Sequence, residues 1–269
     1  MAAHVTTTDA APAEPVKGPP APREARPHRT RFLFVYSLLA LALGAAIAGV
    51  VVFAGRSINP GPTWSSWKPS GGGQGAAKQI AAHVSKSYRL PSGKQLVDVI
   101  AKAPSVSPAD QQIPIHYVVV RGKKGAEDKI VQVSAGDSVM YALCGLGTSC
   151  AIASGKPSVE RGTLVRRQIL ELALYTFKYV HGMKSVIAFM PPPSGAQPQY
   201  VVYLEKSDVA DHLKIPLLQT LGAKVPLPSA IPSKEQETVD AATESRVYKF
   251  SLSQAQQGDA ILVLAPLTA

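Results

Sequence analysis

The chain is 269 residues long and carries 28 lysines and arginines against 18 aspartates and glutamates, a formal net charge of +10, with only two cysteines. Those cysteines enclose five residues, a spacing that excludes a zinc knuckle and a C-x-x-C redox centre, and no cysteine lipobox is present. The charge divides into +2 over residues 1–31 (five basic, three acidic), zero over 32–55 and +8 over 56–269 (23 basic, 15 acidic), so most of it lies beyond one uncharged stretch.

Residues 1–31 set Pro12, Pro15, Pro19, Pro20, Pro22 and Pro27 among alanines and small polar residues. Such a composition cannot bury enough apolar surface to offset chain ordering, and a disordered cytoplasmic tail is expected. Phe32 to Gly55 then supplies 24 residues without a charge, bracketed by Arg31 and Arg56. At about 1.5 Å per residue a helix of that length reaches roughly 36 Å, enough to cross a hydrocarbon core of about 30 Å, so residues 32–55 predict one transmembrane helix. A cleaved signal peptide would use Val52-Phe53-Ala54, but signal cores run only about 7–15 apolar residues, and retention as a signal-anchor is expected.

Lys17, Arg23, Arg26, Arg29 and Arg31 precede the span, whereas only Arg56 and Lys68 follow it closely. Positive flanks stay inside, which predicts a cytoplasmic N-terminus and an extracytoplasmic C-terminal domain at the cell membrane. Gly44 with Ala48 and Ala45 with Gly49 are small-xxx-small pairs that would let two spans meet as a homodimer; alanine richness accounts for them equally.

Residues 56–75 read as a Gly/Pro/Ser linker holding the only tryptophans, Trp64 and Trp67. Indoles favour the membrane interface, eight residues after Arg56, and packing as a plug on the folded domain is an equal alternative. Between Arg56 and Lys102 seven basic residues face only Asp98, a local +6 suited to lipid head groups or an anionic envelope polymer. Nucleic acid satisfies the same electrostatics, but an outward-facing domain has little access to it.

Residues 76–269 predict one α+β domain, a mainly antiparallel sheet packed on a long helix. Ala77, Ile80, Ala81, Val84 and Tyr88 recur at helical spacing over 76–89. Alternating or β-branched runs predict strands at Leu96–Ala101, Ile113–Arg121, Lys129–Ser134 and Ser138–Leu143. The long helix is expected over 159–181, capped by Ser158 and stopped by Gly182. Its core stripe is Val165, Ile169, Leu172, Ala173, Thr176, Phe177 and Val180, which leaves Arg161, Arg166, Arg167 and Lys178 mostly on its surface. Strands follow at Ser185–Met190 and Tyr200–Leu204, a short helix capped by Ser207 at Ser207–Leu213, and a terminal strand pair at Arg246–Leu252 and Ala260–Leu264. Residues 234–245 are acidic and polar.

Cys144 and Cys150 follow a predicted strand, and beyond the membrane a loop of this size can close as a structural disulfide, with free buried thiols as the alternative. His83, His116, His181 and His212 stand singly, so neither a metal nor a cofactor is expected. Gly136-Asp137-Ser138 resembles the nucleophile block of the GDSL-type hydrolases, which implies Ser138 as nucleophile with His212 as base and Asp208, or Asp211, as orienting carboxylate. The family's Asp-x-x-His is off by one here, and its Gly-x-Asn-Asp block is missing.

Cys144-Gly145-Leu146-Gly147, Gly155 to Arg161, Leu170 to Val180 and Ser185 to Pro193 together resemble a family of uncharacterised, single-pass, N-terminally anchored envelope proteins of high-GC bacteria. That resemblance implies topology and no activity. The helix, glycine and strand around Gly182 are also loosely similar to GerMN-type extracytoplasmic modules. With no catalytic set complete, the expectation is a membrane-anchored accessory or binding protein that meets lipid, an anionic polymer or an envelope protein; the alternative is a membrane-anchored serine hydrolase using Ser138.

Overall fold

The computed structural model describes residues 29–55, 63–107, 112–122, 126–255 and 258–267. The chain divides into two compact units, Met1–Gly61 and Pro62–Ala269. The first contains α1 (Arg29–Gly55), a helix of 27 residues. Among the described residues no helix is both long and apolar enough to cross a membrane. Within α1 the side chains are described only over 32–47, fewer than the roughly 20 residues a span takes, so they do not by themselves establish the expected transmembrane helix.

In the second unit, α2 (Gly73–Ser87) leads into β1 (Asp98–Lys102), β2 (Ser105–Val106), β3 (Ile113–Val120), β4 (Lys129–Gln132) and β5 (Ser138–Cys144). Then come α3 (Val159–Tyr179), β6 (Ser185–Phe189), β7 (Tyr200–Glu205), α4 (Leu217–Thr220), α5 (Ser233–Thr243), β8 (Val247–Gln254) and β9 (Ala260–Pro266). The unit is α+β, and six of its eight strand pairings are antiparallel.

The strand order is β1-β5-β6-β7-β8-β9-β3-β2, with β4 beside β3. Only Ala103 and Pro104 separate β1 from β2, although these strands stand at opposite ends of that order. Three peptide steps reach at most about 11 Å, so the sheet must curl until its ends nearly meet. The Ile115 amide, on β3, bonds the Pro104 carbonyl at 3.0 Å, extending the β2–β3 ladder up to the short link to β1.

Alternation along the central strands builds two cores. Val139, Tyr141 and Leu143 of β5, Val186 and Ala188 of β6, and Val202 and Leu204 of β7 face the helices. The intervening Met140, Ile187, Val201 and Tyr203 join Ile115, Val118, Tyr248, Leu262 and Leu264 in a separate cluster on the other face. Strands buried on both faces read as continuous apolar runs, as β6 and β7 do.

Several boundaries differ from the sequence expectation. The folded unit begins by Thr63, not at residue 76, because the Trp64 to Pro69 stretch packs on the helices. Residues 234–245 are mostly helical, in α5, which buries Val239 and Ala242 against α3. The turn after β7 is a 3₁₀ turn at Lys206–Val209, held by Asp208 accepting the Glu205 amide at 2.8 Å, not a helix capped by Ser207.

Candidate functional site

Ser158 caps α3 through its hydroxyl, which accepts the Arg161 amide at 3.2 Å, and Gly182 ends the following turn at φ +82°. The expected stripe is buried, but so is most of the remaining helix, because α2, α5 and the turn at Pro228–Ala230 pack on it as well as the sheet does. Arg167, expected on the surface, is therefore 1% exposed.

Its guanidinium forms a clamp that joins four segments. Nε donates to Glu235 Oε1 on α5 at 2.6 Å, and Nη1 donates to the Tyr88 hydroxyl after α2 at 2.5 Å. Nη1 also reaches Glu171 Oε2 at 3.3 Å, and Nη2 donates to the Gly222 carbonyl at 3.0 Å. Tyr88 in turn donates to Glu171 Oε2 at 2.6 Å, and the Gly222 amide bonds Glu235 Oε1 at 3.1 Å. Burial pushes the Glu171 carboxyl above its ordinary range, against the opposing effects of the Tyr88 bond and Arg167. Burial likewise raises Tyr88 well above an ordinary phenol. Arg167 is also raised, since Tyr88, Glu171 and Glu235 outweigh the desolvation that would lower it.

Above this clamp opens a cleft of about 940 Å³. Its walls come from Ser65 and Ser66, from His83 on α2, from Glu171 and Tyr175 on α3, and from the 217–227 loop with Lys224. The aromatic wall corrects the assignment of the tryptophans to the membrane interface. Trp64 is 9% exposed and stands edge-on to Tyr175 and Tyr179 at 5.5 and 5.6 Å, while its carbonyl accepts the Leu217 amide at 2.7 Å. Trp67 stacks on His83 at 3.9 Å with the rings 4° from parallel. Burial, with Lys86 nearby, lowers the His83 pKa, which favours the neutral imidazole against the indole. The plug alternative describes both indoles: the ring faces gain more from Tyr175, Tyr179 and His83 than a linker could offer.

The serine hydrolase residues are not brought together by hydrogen bonds. The Ser138 hydroxyl, 1% exposed, donates to Asp137 Oδ1 at 3.0 Å and lies 2.8 Å from the Ser185 hydroxyl. His212 Nδ1 lies 3.4 Å from the Thr220 hydroxyl, Asp208 is engaged by the Glu205 amide and by Arg246 at 2.8 Å, and Asp211 by Lys214 at 2.8 Å. Burial raises Asp137, but the bonds from Ser134, Ser138 and Lys184 prevail and hold it below its ordinary range. Cys144 and Cys150 are joined, with Cα atoms 4.4 Å apart. Among the described residues, no three histidine, cysteine or acidic side chains gather as a metal site.

Sequence reasoning missed the clamp. Its one local signal was the i,i+4 pair Arg167 and Glu171 inside the apolar run Leu164 to Val180; Tyr88, Gly222 and Glu235 are distant in the chain. Comparisons with protein families, with curated proteins and with solved structures return no match to this chain.

Proposed function

We propose that this chain is a single-pass, membrane-anchored binding protein of the bacterial cell envelope, whose outer domain works close to the bilayer without catalysis. The observation that carries this reading is α1. Its backbone is helical from Arg29 to Gly55, its sequence is uncharged from Phe32 onward, and its described side chains are all exposed, Phe34 and Leu41 at 73%. Left in water, that surface would exceed the few hundred Å² of contiguous apolar patch that soluble proteins expose, whereas hydrocarbon solvates it and the helix satisfies its own backbone. The Cys144–Cys150 bond suits an oxidising compartment outside the cytoplasm.

The cleft supports a binding role. Arg89 and Lys224 are exposed at its edge, and Ser66 and Ser87 are exposed with hydroxyls, a lining suited to a hydroxylated, negatively charged envelope polymer. Ser138 lies elsewhere, buried among hydroxyls with no histidine bonded to it, which gives the hydrolase alternative no geometric support.

Alkaline carbonate extraction is expected to leave the chain in the membrane pellet, and protease added to intact spheroplasts to degrade the Pro62–Ala269 unit. Release by carbonate would remove the anchor; survival of that unit would reverse the orientation. A fluorophosphonate probe that labels the protein but not its Ser138→Ala variant would replace binding by ester hydrolysis.

A further inference from the structure

Arg161 sits one helical turn into α3 and is 8% exposed, yet no carboxylate among the described residues lies within 4 Å of it. The neighbouring arginines are different: Arg166 pairs with Asp240 at 2.6 Å and Arg167 with Glu235 at 2.6 Å. Arg161 spends one donor, Nη1, on the Ser154 carbonyl at 2.9 Å. Nε and Nη2, the edge of a guanidinium that matches the two oxygens of a carboxylate, bond no described residue and are not among the buried unpartnered polar atoms, so they stay open to the surrounding hollows. The nearest acid in sequence, Glu160, is fully exposed and is held low by a bond to its own backbone amide and by Ser158. A cation with two open donors and no counter-charge among the described residues is placed to take one from a ligand.

Arg161 lies in the lining of two hollows. One, of about 340 Å³, also includes Leu90, Ser154, Lys156 and Pro228. The other is an apolar trough of about 320 Å³ walled by Ile152, Val165, Met190, Pro191, Pro192 and Tyr200. The trough is built from stiff parts. The Cys144–Cys150 bond closes the loop just before Ile152, prolines form one wall, and Met190 and Tyr200 are tied by a backbone bond at 2.9 Å. Gly155, at φ +78°, brings its backbone close enough that an added Cβ would stand 3.3 Å from Arg161 Nη2.

The geometry points to a binding site for an aliphatic monocarboxylate, the carboxylate taken side-on by Nε and Nη2 of Arg161 and the hydrocarbon chain laid along the trough between Val165 and Pro191. The charge on Arg161 selects the head, and the apolar walls select the tail. A peptide ending in a free carboxylate shares the head chemistry. Its backbone amides would need partners, however, and beyond Arg161 the trough's polar side chains are only Ser158, Ser194 and the Tyr200 hydroxyl. The site is separate from the cleft over Arg167, and the inference does not depend on how the chain is anchored.

The test is photolabelling of the full-length chain in its membrane with a diazirine-bearing decanoic acid, the adduct being mapped by mass spectrometry. The adduct is expected on peptides containing Met190 to Tyr200 or Ile152 to Val165, and competition by decanoate but not by decanol. Across hexanoate, octanoate and decanoate, competition should strengthen roughly tenfold for every two methylenes buried. Arg161→Met is expected to cut labelling at least tenfold. Gly162→Leu supplies an independent variant: an added Cβ at Gly162 meets nothing within 4 Å, and the leucine would fill the trough with the charge left in place. It too should abolish the adduct, with the Trp64 and Trp67 fluorescence unchanged. Equal labelling of both variants and wild type, or equal competition by decanol, would overturn the site. Competition by a peptide with an apolar C-terminal residue but not by decanoate would overturn the aliphatic ligand in favour of a peptide carboxylate.

Discussion

Replacing Arg167 by methionine keeps an unbranched stem in a fully buried position and removes the one cation that Glu235, Glu171, Tyr88 and the Gly222 carbonyl share. Two carboxylates then face each other across a dry interior, and breaking a buried ionic set from one side costs about 3–5 kcal/mol. For a unit of this size about 2–4 °C accompanies each kcal/mol, so the melting temperature should fall by about 6–20 °C. The assay is built into the fold. The only two tryptophans pack on α2 and α3 beside the clamp, so their fluorescence reports the unfolding of this unit in the detergent-solubilised full chain. Removing the counter-charge as well, in Arg167→Met with Glu235→Met, should recover part of the loss, because a buried pair replaced whole by apolar groups is close to neutral. A single-variant loss below about 1 kcal/mol, or a coupling between the two sites below about 0.5 kcal/mol, would refute the idea that Arg167 holds α2, α3, α5 and the 222 loop together.

Two further outcomes can be checked with the same fluorescence. Gln168, fully buried on α3, finds no partner among the described residues for either amide atom. Gln168→Met should therefore raise stability by about 1–3 kcal/mol, and a loss of similar size would show that the amide is paired. Because burial raises the Glu171 carboxyl above its ordinary 4.5, the folded state holds that proton more tightly than the unfolded chain does. The stability contributed is full below 4.5 and is lost as pH rises through the higher folded value, so Glu171→Gln should gain on wild type as the pH increases from 4 to 8. A difference that stays flat, or falls with pH, would contradict that assignment.

Elements whose signals are local could be read from the chain. Ser158, the apolar stripe and Gly182 define α3 almost to the residue, and alternating runs place β3, β5, β6, β7 and β9 within a residue or two. Helix α5 escaped because only Val239 and Ala242 of its apolar residues are buried, too few to mark a stripe in an otherwise polar segment. The tryptophans were equally suited by composition to a bilayer surface or a protein one; only the nearness of Tyr175, Tyr179 and His83 decides between them.

By itself the sequence determines one long uncharged stretch, its basic flank and a downstream α+β segment, because hydropathy and period are properties of neighbouring residues. Tertiary structure alone decides which charges are interior. The covering of most of α3 makes Arg167 the hub of a clamp and leaves Arg161 beside an apolar trough, though the two arginines look alike in the chain. Burial and counter-charge depend on residues some 70 positions away, such as Glu235, and no local pattern carries that information.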